Sequence, residues 1–331
     1  MLKNICYKTP YGTLLKGDSY EILTSENMNF YKGKITLIIT SPPFPLNTKK
    51  KYGNLVGSEY KDWLIAFAPV FEELLRDDGS VVIELGNSWE HGRPVQSLLH
   101  LESLLGFVNN SNLRLIQEFI SYNPSKLPSP AQWVTKERIR TVDSYTHIWW
   151  MSKSDYPKAD NRKVLRPYSK SMKKLLKNKT YNSGIRPSEH QISKEGFLKD
   201  NNGSIAHNFF EIDPIDEKRD VRLPYNVLSF SNTSSNDFFL KNCREYGFSP
   251  HPARMNKGII SFFINFLTEK NDIVLDPFAG SNTTGYVSEV NKRNWISIEI
   301  DDNYINQSVI RFHDPDLKTD IKLFDQICNF G

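Results

Sequence analysis

Cysteine is scarce in this chain: three residues, Cys6, Cys243 and Cys328, each far from the others. They form neither a disulfide framework nor a zinc-type cluster, and they read as isolated buried thiols. His190, His207 and His251 lack the spacing of metal ligands, so no metal is expected. No stretch is apolar enough to span a bilayer, and the opening MLKNICYKTPYG lacks the basic start and apolar run of a secretory signal. The chain therefore reads as cytoplasmic, with no membrane partner. Also missing are the full three-glycine dinucleotide fingerprint and the lysine of a P-loop, and there is no internal repeat.

What is present is close to the soluble average. The 331 residues are 39% hydrophobic, 24% charged and 12% aromatic, which excludes a disordered, collagenous or coiled-coil chain. That length accommodates one large α/β domain with an insertion, or two ordinary domains. The net charge of +4 says little about partners, but its distribution says more. Residues 158–199 carry 12 Lys and Arg against three acids, Asp160, Glu189 and Glu195, with Tyr168, Tyr181 and Phe197 interleaved. A basic segment with aromatics suits a phosphate backbone, with Lys170, Lys173, Lys174 and Lys177 as its candidate contacts; the alternative is a solvated lysine face. Residues 211–220 carry five acids and two bases, as a solvated edge or linker does.

Short β-branched or aromatic runs ending in a turn signal read as buried parallel strands whose C-terminal ends carry a site. Such runs cover 34–40, 80–85, 146–152, 272–278 and 294–300. Between them, 59–75 places Trp63, Ala66, Phe67, Val70, Phe71 and Leu74 on one helical face. Residues 252–269 do the same with Ile259, Ile260, Phe262, Phe263, Phe266 and Leu267. Alternating strands and helices predict an α/β doubly wound, Rossmann-like sheet. The rhythm fails from about 154 to 248, a stretch too long for a loop, so a second module with its own irregular fold is expected there. The chain accordingly divides into 1–153, 154–248 and 249–331.

Two motifs carry chemistry. Ser41-Pro42-Pro43-Phe44 follows the first run; its prolines fix φ, supply no N–H donors and make a rigid turn with outward carbonyls. An exocyclic amine on a nucleobase is a poor nucleophile because its lone pair is delocalised into the ring. With its hydrogens held by the Pro42 carbonyl and the Ser41 hydroxyl, the nitrogen can pyramidalise toward an electrophile. Phe44 could then stack on a base flipped out of the duplex. The second motif, residues 276–285 (DPFAGSNTTG), links a strand to a helix starting near Thr283. Gly280 allows a ligand close to the backbone, and Glu299, at the end of the next strand, suits ribose hydroxyls. Of a dinucleotide, a nucleoside triphosphate and S-adenosylmethionine, the acidic Asp276 favours the last, whose amino-acid tail is cationic. Glu84 ends the run 80–85; if that strand neighbours the first, its carboxylate could orient Ser41.

This pairing resembles the amino-group DNA methyltransferases of type II restriction-modification systems, in the permuted beta group, where the catalytic motif precedes the cofactor motif. The resemblance covers most of the chain, including 123–130 (NPSKLPSP) and His251-Pro252-Ala253-Arg254. A Ser-Pro-Pro-Tyr/Phe motif usually marks the N4-cytosine members, and Asp/Asn-Pro-Pro-Tyr/Phe the N6-adenine members. The resemblance therefore implies a circularly permuted methyltransferase sheet that flips cytosine from double-stranded DNA and uses S-adenosylmethionine. It further implies a target-recognition module at 154–248 and functional pairing with a restriction endonuclease; a monomer on DNA is expected, because a modification enzyme can act on one strand at a time. Carried over by position, it places Asp276, Phe278, Gly280, Ser281 and Thr283 along the cofactor, Glu299 on its ribose and Asp18 near its adenine. Asn282 departs from relatives that carry a second glycine, but Asn tolerates left-handed backbone, so the loop is expected to persist. A cytosine C5 enzyme would need a nucleophilic cysteine preceded by proline, and Cys6, Cys243 and Cys328 follow Ile5, Asn242 and Ile327. The alternatives are N6-adenine methylation, a catalytically silent DNA-binding relative and, more remotely, a nicotinamide dehydrogenase.

Overall fold

The computed structural model of the protein describes residues 2–44, 55–212, 228–230, 237–250 and 254–323. Its strands are β1 (Ile5–Lys8), β2 (Gly12–Lys16), β3 (Ile35–Thr40), β4 (Leu75–Gly86), β5 (Arg114–Tyr122), β6 (Tyr145–Ser152), β7 (Gly184–Ile185), β8 (Gln191–Ile192), β9 (Phe209–Ile212), β10 (Leu228–Phe230), β11 (Ile273–Asp276), β12 (Asn294–Glu299) and β13 (Lys322–Leu323). Its helices are α1 (Ser19–Thr24), α2 (Gly57–Leu74), α3 (Leu99–Asn109), α4 (Lys170–Asn178), α5 (Phe238–Glu245), α6 (Lys257–Leu267), α7 (Thr283–Val290) and α8 (Asp302–Val309). Among the described residues eleven strands form one mixed sheet, in the order β10-β9-β5-β6-β4-β3-β11-β12-β2-β1-β13. The central strands β4, β3, β11, β12 and β2 run parallel.

Both faces of this centre are covered, so its strands are apolar without alternation. Along β4, Val81, Ile83 and Leu85 face a core built with α2 and α3, whereas Val82 faces a second core built with α6 and α7. In α2 the residues Leu64, Phe67, Phe71 and Leu74 are buried, and in α6 Ile259, Ile260, Phe263 and Leu267. Each such side chain stabilises the layers by about 1.5–3 kcal/mol. α6 starts at Lys257, later than the pattern suggested, because the Asn256 side chain caps it by accepting from Gly258 N. Residues 252–253 lie outside the described chain, as does His251.

One strand differs from expectation. β6, read from its sequence as another parallel strand, is antiparallel to both β4 and β5. Its residues from His147 onward are buried on both faces, so its apolar run reports burial and carries no signal of direction. The middle of the chain is also less separate than its composition implies. β9 runs parallel to β5 at the end of the main sheet, and α5 joins a small core with Ile310. Most of the acidic run 211–220 lies outside the described residues. Cys6 and Cys243 are buried free thiols, and Cys328 is outside the described chain. Among the described residues no helix is long and apolar enough to cross a membrane, and no His, Cys, Asp and Glu group is placed to hold a metal ion.

Candidate active site

The two motifs meet because their strands are neighbours. β3 and β11 pair Leu37 with Val274 and Ile38 with Leu275, which brings Thr40 and Asp276 to the same edge of the sheet. Thr40 Oγ1 donates to Asp276 Oδ1 at 2.7 Å, Thr284 Oγ1 donates to Oδ2 at 2.6 Å, and Phe278 N donates to Oδ1 at 3.1 Å. Burial raises the pKa of Asp276, and these three bonds oppose that rise. One carboxylate thus ties the proline turn to the loop after β11. Between the two motifs opens a cavity of about 590 Å³, with Ser41 to Phe44 on one side and Asp276, Phe278, Gly280, Ser281 and Thr283 on the other.

Both sides are rigid. Phe44 lies against Gly86 at the end of β4: a Cβ there would stand 2.6 Å from Phe44 Cδ2. Phe278 is wedged against Trp63 and Phe67 of α2, with ring centroids 5.3 Å from each. Gly280 and Asn282 both take left-handed backbone, each with φ of 51°. The Asn282 side chain does what a second glycine would not: its Oδ1 accepts from Gly285 N at 3.0 Å and Ser297 Oγ at 2.7 Å, and its Nδ2 donates to the Tyr7 hydroxyl at 2.9 Å. Asn282 is thereby the N-cap of α7, which starts at Thr283 as the sequence suggested. Arg311 holds the same loop from behind. It is buried, stacks 3.7 Å from the Phe239 ring centroid, and donates to the Ser281 carbonyl at 2.6 Å and hydroxyl at 3.0 Å. Burial pushes Arg311 down to about 10.

Glu299 closes the cavity beyond Gly280. Its Oε2 accepts from Gly280 N at 2.7 Å, and Oε1 accepts from Ile300 N and Asp301 N at 2.9 Å each. A carboxylate offers about four acceptor positions, so one remains for a ligand hydroxyl. Burial pushes Glu299 up to about 7. The wall also contains Arg254, Asp301 and Tyr304, which sequence reasoning did not assign to the site. Arg254 stood out only as part of a motif; burial lowers its pKa, which marks it as a partly desolvated cation facing the cavity.

Known proteins resemble this chain in sequence and in fold. A family model described as DNA methylase matches residues 35–309. The chain belongs to the DNA methylase family. This methylase is 41% identical over 331 residues to the type II methyltransferase M.PvuII of Proteus hauseri, across 99% of this chain and 92% of that protein. A solved structure described as PvuII DNA methyltransferase (cytosine-N4-specific) superposes with a TM-score of 0.70 at 35% identity, covering 93% of this chain and 88% of that one. More distantly, M.HindIII of Haemophilus influenzae is 22% identical over 308 residues, 91% of this chain and 86% of that protein.

Three sequence-derived assignments in this methylase take the following places in the fold. Asp18 is exposed and caps α1 by accepting from Glu21 N at 3.0 Å; its neighbour Ser19, hydrogen-bonded to the Pro277 carbonyl, lines the cavity instead. Asp18 is next to this lining residue in the chain and is not itself among the residues that line the cavity. Glu84 does lie one strand from Ser41, since β3 and β4 pair Thr40 with Ile83. Its carboxylate, however, accepts from Thr146 Oγ1 at 2.9 Å, and among the described residues no hydrogen bond links it to Ser41. Burial pushes Glu84 up to about 7. Lys170, Lys173, Lys174 and Lys177 are exposed on one face of α4, opposite the half-buried Met172, Leu175 and Leu176.

Proposed function

We propose that this methylase transfers a methyl group from S-adenosylmethionine to the exocyclic N4 of cytosine in duplex DNA. The observation that carries this reading is that Ser41 and Pro42 line the cavity while no hydrogen bond from the described residues occupies the Ser41 hydroxyl or the Pro42 carbonyl. They are two acceptors available, among the described residues, beside a cavity of about 590 Å³. Ser41 at the head of the motif and the cytosine-N4-specific relative favour cytosine over adenine. The turn preceding the cofactor loop in the chain fits the permuted order of that group.

The residues present suit the cofactor. Glu299 has one acceptor position left for a ribose hydroxyl, Phe278 offers an apolar face to adenine, and Arg254 offers a cation to a carboxylate. Asp301, on the same wall, suits an ammonium. Asp276, whose carboxylate already accepts three bonds, shapes the pocket more than it salt-bridges a ligand. When bound, S-adenosylmethionine supplies an electrophilic methyl on a sulfonium.

Ser41 and Pro42 take the two amine hydrogens and aim the nitrogen lone pair across the cavity, while Phe44 stacks on the flipped ring. Flipping costs a few kcal/mol, offset by these contacts. As the new N–C bond forms the methyl–sulfur bond would break, leaving the cofactor as a neutral thioether, and the amine sheds its proton past Ser41 to solvent. Glu84, near 7 and one strand away, is a second acceptor for that proton. The lysine face of α4 follows the phosphate backbone, and residues 154–248 supply target recognition. The protein works in the cytoplasm as a monomer, protecting DNA from a cognate restriction endonuclease.

The test is to incubate the protein with labelled S-adenosylmethionine and mixed-sequence duplex DNA, digest to nucleosides and identify the labelled species by mass spectrometry. N4-methylcytosine is expected. N6-methyladenine would overturn the base assignment, and bound cofactor without DNA label would overturn the methylation reading.

A further inference from the structure

Flipping a base leaves a hole in the stack that an inserted apolar side chain can fill. We infer that Leu127 is the side chain that enters the duplex where the cytosine leaves; the inference rests on the DNA-methylation reading above.

β5 and β6 are adjacent antiparallel strands, a pair that two to five residues commonly join. Here residues 123–144 intervene. Because β5 is antiparallel to β6 and β6 to β4, β5 ends at the same edge of the sheet as β4, β3 and β11. The connection therefore rises from the edge that bears Ser41 and Asp276.

The connection is braced. Asn123 N donates to Ser144 O at 2.7 Å across its neck, and Ser125 N donates to Asn123 Oδ1 at 2.9 Å. Its helical turn Gln132–Lys136 is held by Val134 N to Pro130 O at 3.1 Å. Arg140 stacks 3.5 Å from the Trp89 ring centroid and donates to the Pro94 carbonyl at 2.5 Å. Pro124, Pro128 and Pro130 restrict the remainder.

On this scaffold Leu127 is 81% exposed, the most exposed of the large aliphatic residues among those described. A single exposed leucine is ordinary. This one is followed by an exposed proline and preceded by Lys126, and the same connection presents Arg138 beside the exposed Ile139. Leucine and proline are among the wedges that proteins insert between base steps, and flanking cations suit the phosphates on either side. Entry into the stack gives Leu127 the burial that the protein denies it.

The test compares Leu127→Ala with the wild type on two synthetic duplexes containing the sequence in which the wild-type product is mapped. One is fully paired; in the other the target cytosine faces an abasic site, so little pairing is lost on flipping. The expected result is a fall in kcat/KM of about tenfold or more on the paired duplex and a change of less than about twofold on the abasic one, with Leu127→Phe restoring the paired rate. Cofactor affinity should not move. Equal losses on both duplexes, or none on either, would refute the wedge alone. A wild type that labels neither duplex would defeat the methylation reading, and the wedge with it.

Discussion

Replacing Glu84 by glutamine should change how stability responds to pH. Glu84 is 7% exposed, its carboxylate accepts one side-chain bond, from Thr146, and burial raises it from an ordinary 4.5 to about 7. The folded protein therefore keeps a proton that the unfolded chain releases between these values. Stability from this group is fully present below about 4.5, falls as pH rises through the window and levels off above 7. At about 1.4 kcal/mol for each tenfold change, ionising Glu84 in place costs about 3 kcal/mol. Glutamine keeps the acceptor for Thr146 and cannot ionise. The stability of Glu84→Gln relative to wild type should thus grow by about 2–3 kcal/mol between pH 5 and pH 8. Glu299 also titrates near 7, but it is common to both proteins and cancels. Urea unfolding followed by far-ultraviolet circular dichroism at four pH values measures the difference. A difference that stays constant with pH would mean that water reaches the carboxylate and that the buried-acid account is wrong.

Other substitutions separate the parts of the site. Ser41→Ala should lower kcat by about tenfold or more while leaving the cofactor Kd unchanged, because it removes one acceptor for the amine and nothing from the cofactor side; a matching loss in equilibrium binding would contradict that division. Asp276→Ala should weaken cofactor binding and also lower turnover, since it releases Thr40 as well as Thr284, and a variant impaired in only one assay would argue against the shared anchor. Gly86→Ala should slow methylation without altering cofactor affinity, because its Cβ would stand 2.6 Å from Phe44 Cδ2; an unaffected rate would show that Phe44 is not held there during turnover. Neutralising Lys170, Lys173, Lys174 and Lys177 together should flatten the dependence of log DNA affinity on log salt by about 0.9 for each phosphate that the protein no longer neutralises, and an unchanged slope would mark these lysines as merely solvated.

The parts legible in the sequence were those where one physical signal dominates. β3, β4, β11 and β12 are short apolar runs cut off by turns, α2 and α6 are regular stripes, and both motifs occupy strand ends. The direction of β6 was not legible, because full burial erases the alternation that marks a one-sided antiparallel strand. β5 escaped notice because it is exposed over most of its first residues. Arg311 was invisible for another reason: it lies 30 residues from Ser281, and no local pattern announces that it holds that loop. Arg254 and Tyr304 belong to segments that only the sheet brings beside the cavity. Asn282 shows the reverse: a departure from a glycine pattern was visible, but its buried bonds to Tyr7 and Ser297 were not.

The pairing of β3 with β11 bears on how the molecule should fail. The proline turn and the loop after β11 stand on adjacent strands, so the separation of their strand ends is set by a ladder spacing of about 4.8 Å, a dimension that changes little until the sheet itself opens. Warming that shakes the surface connections should slow the capture of DNA first and leave the chemical step intact. Single-turnover rates with saturating DNA should keep rising with temperature, as for any activated step, until the sheet melts, and then fall with it in one transition.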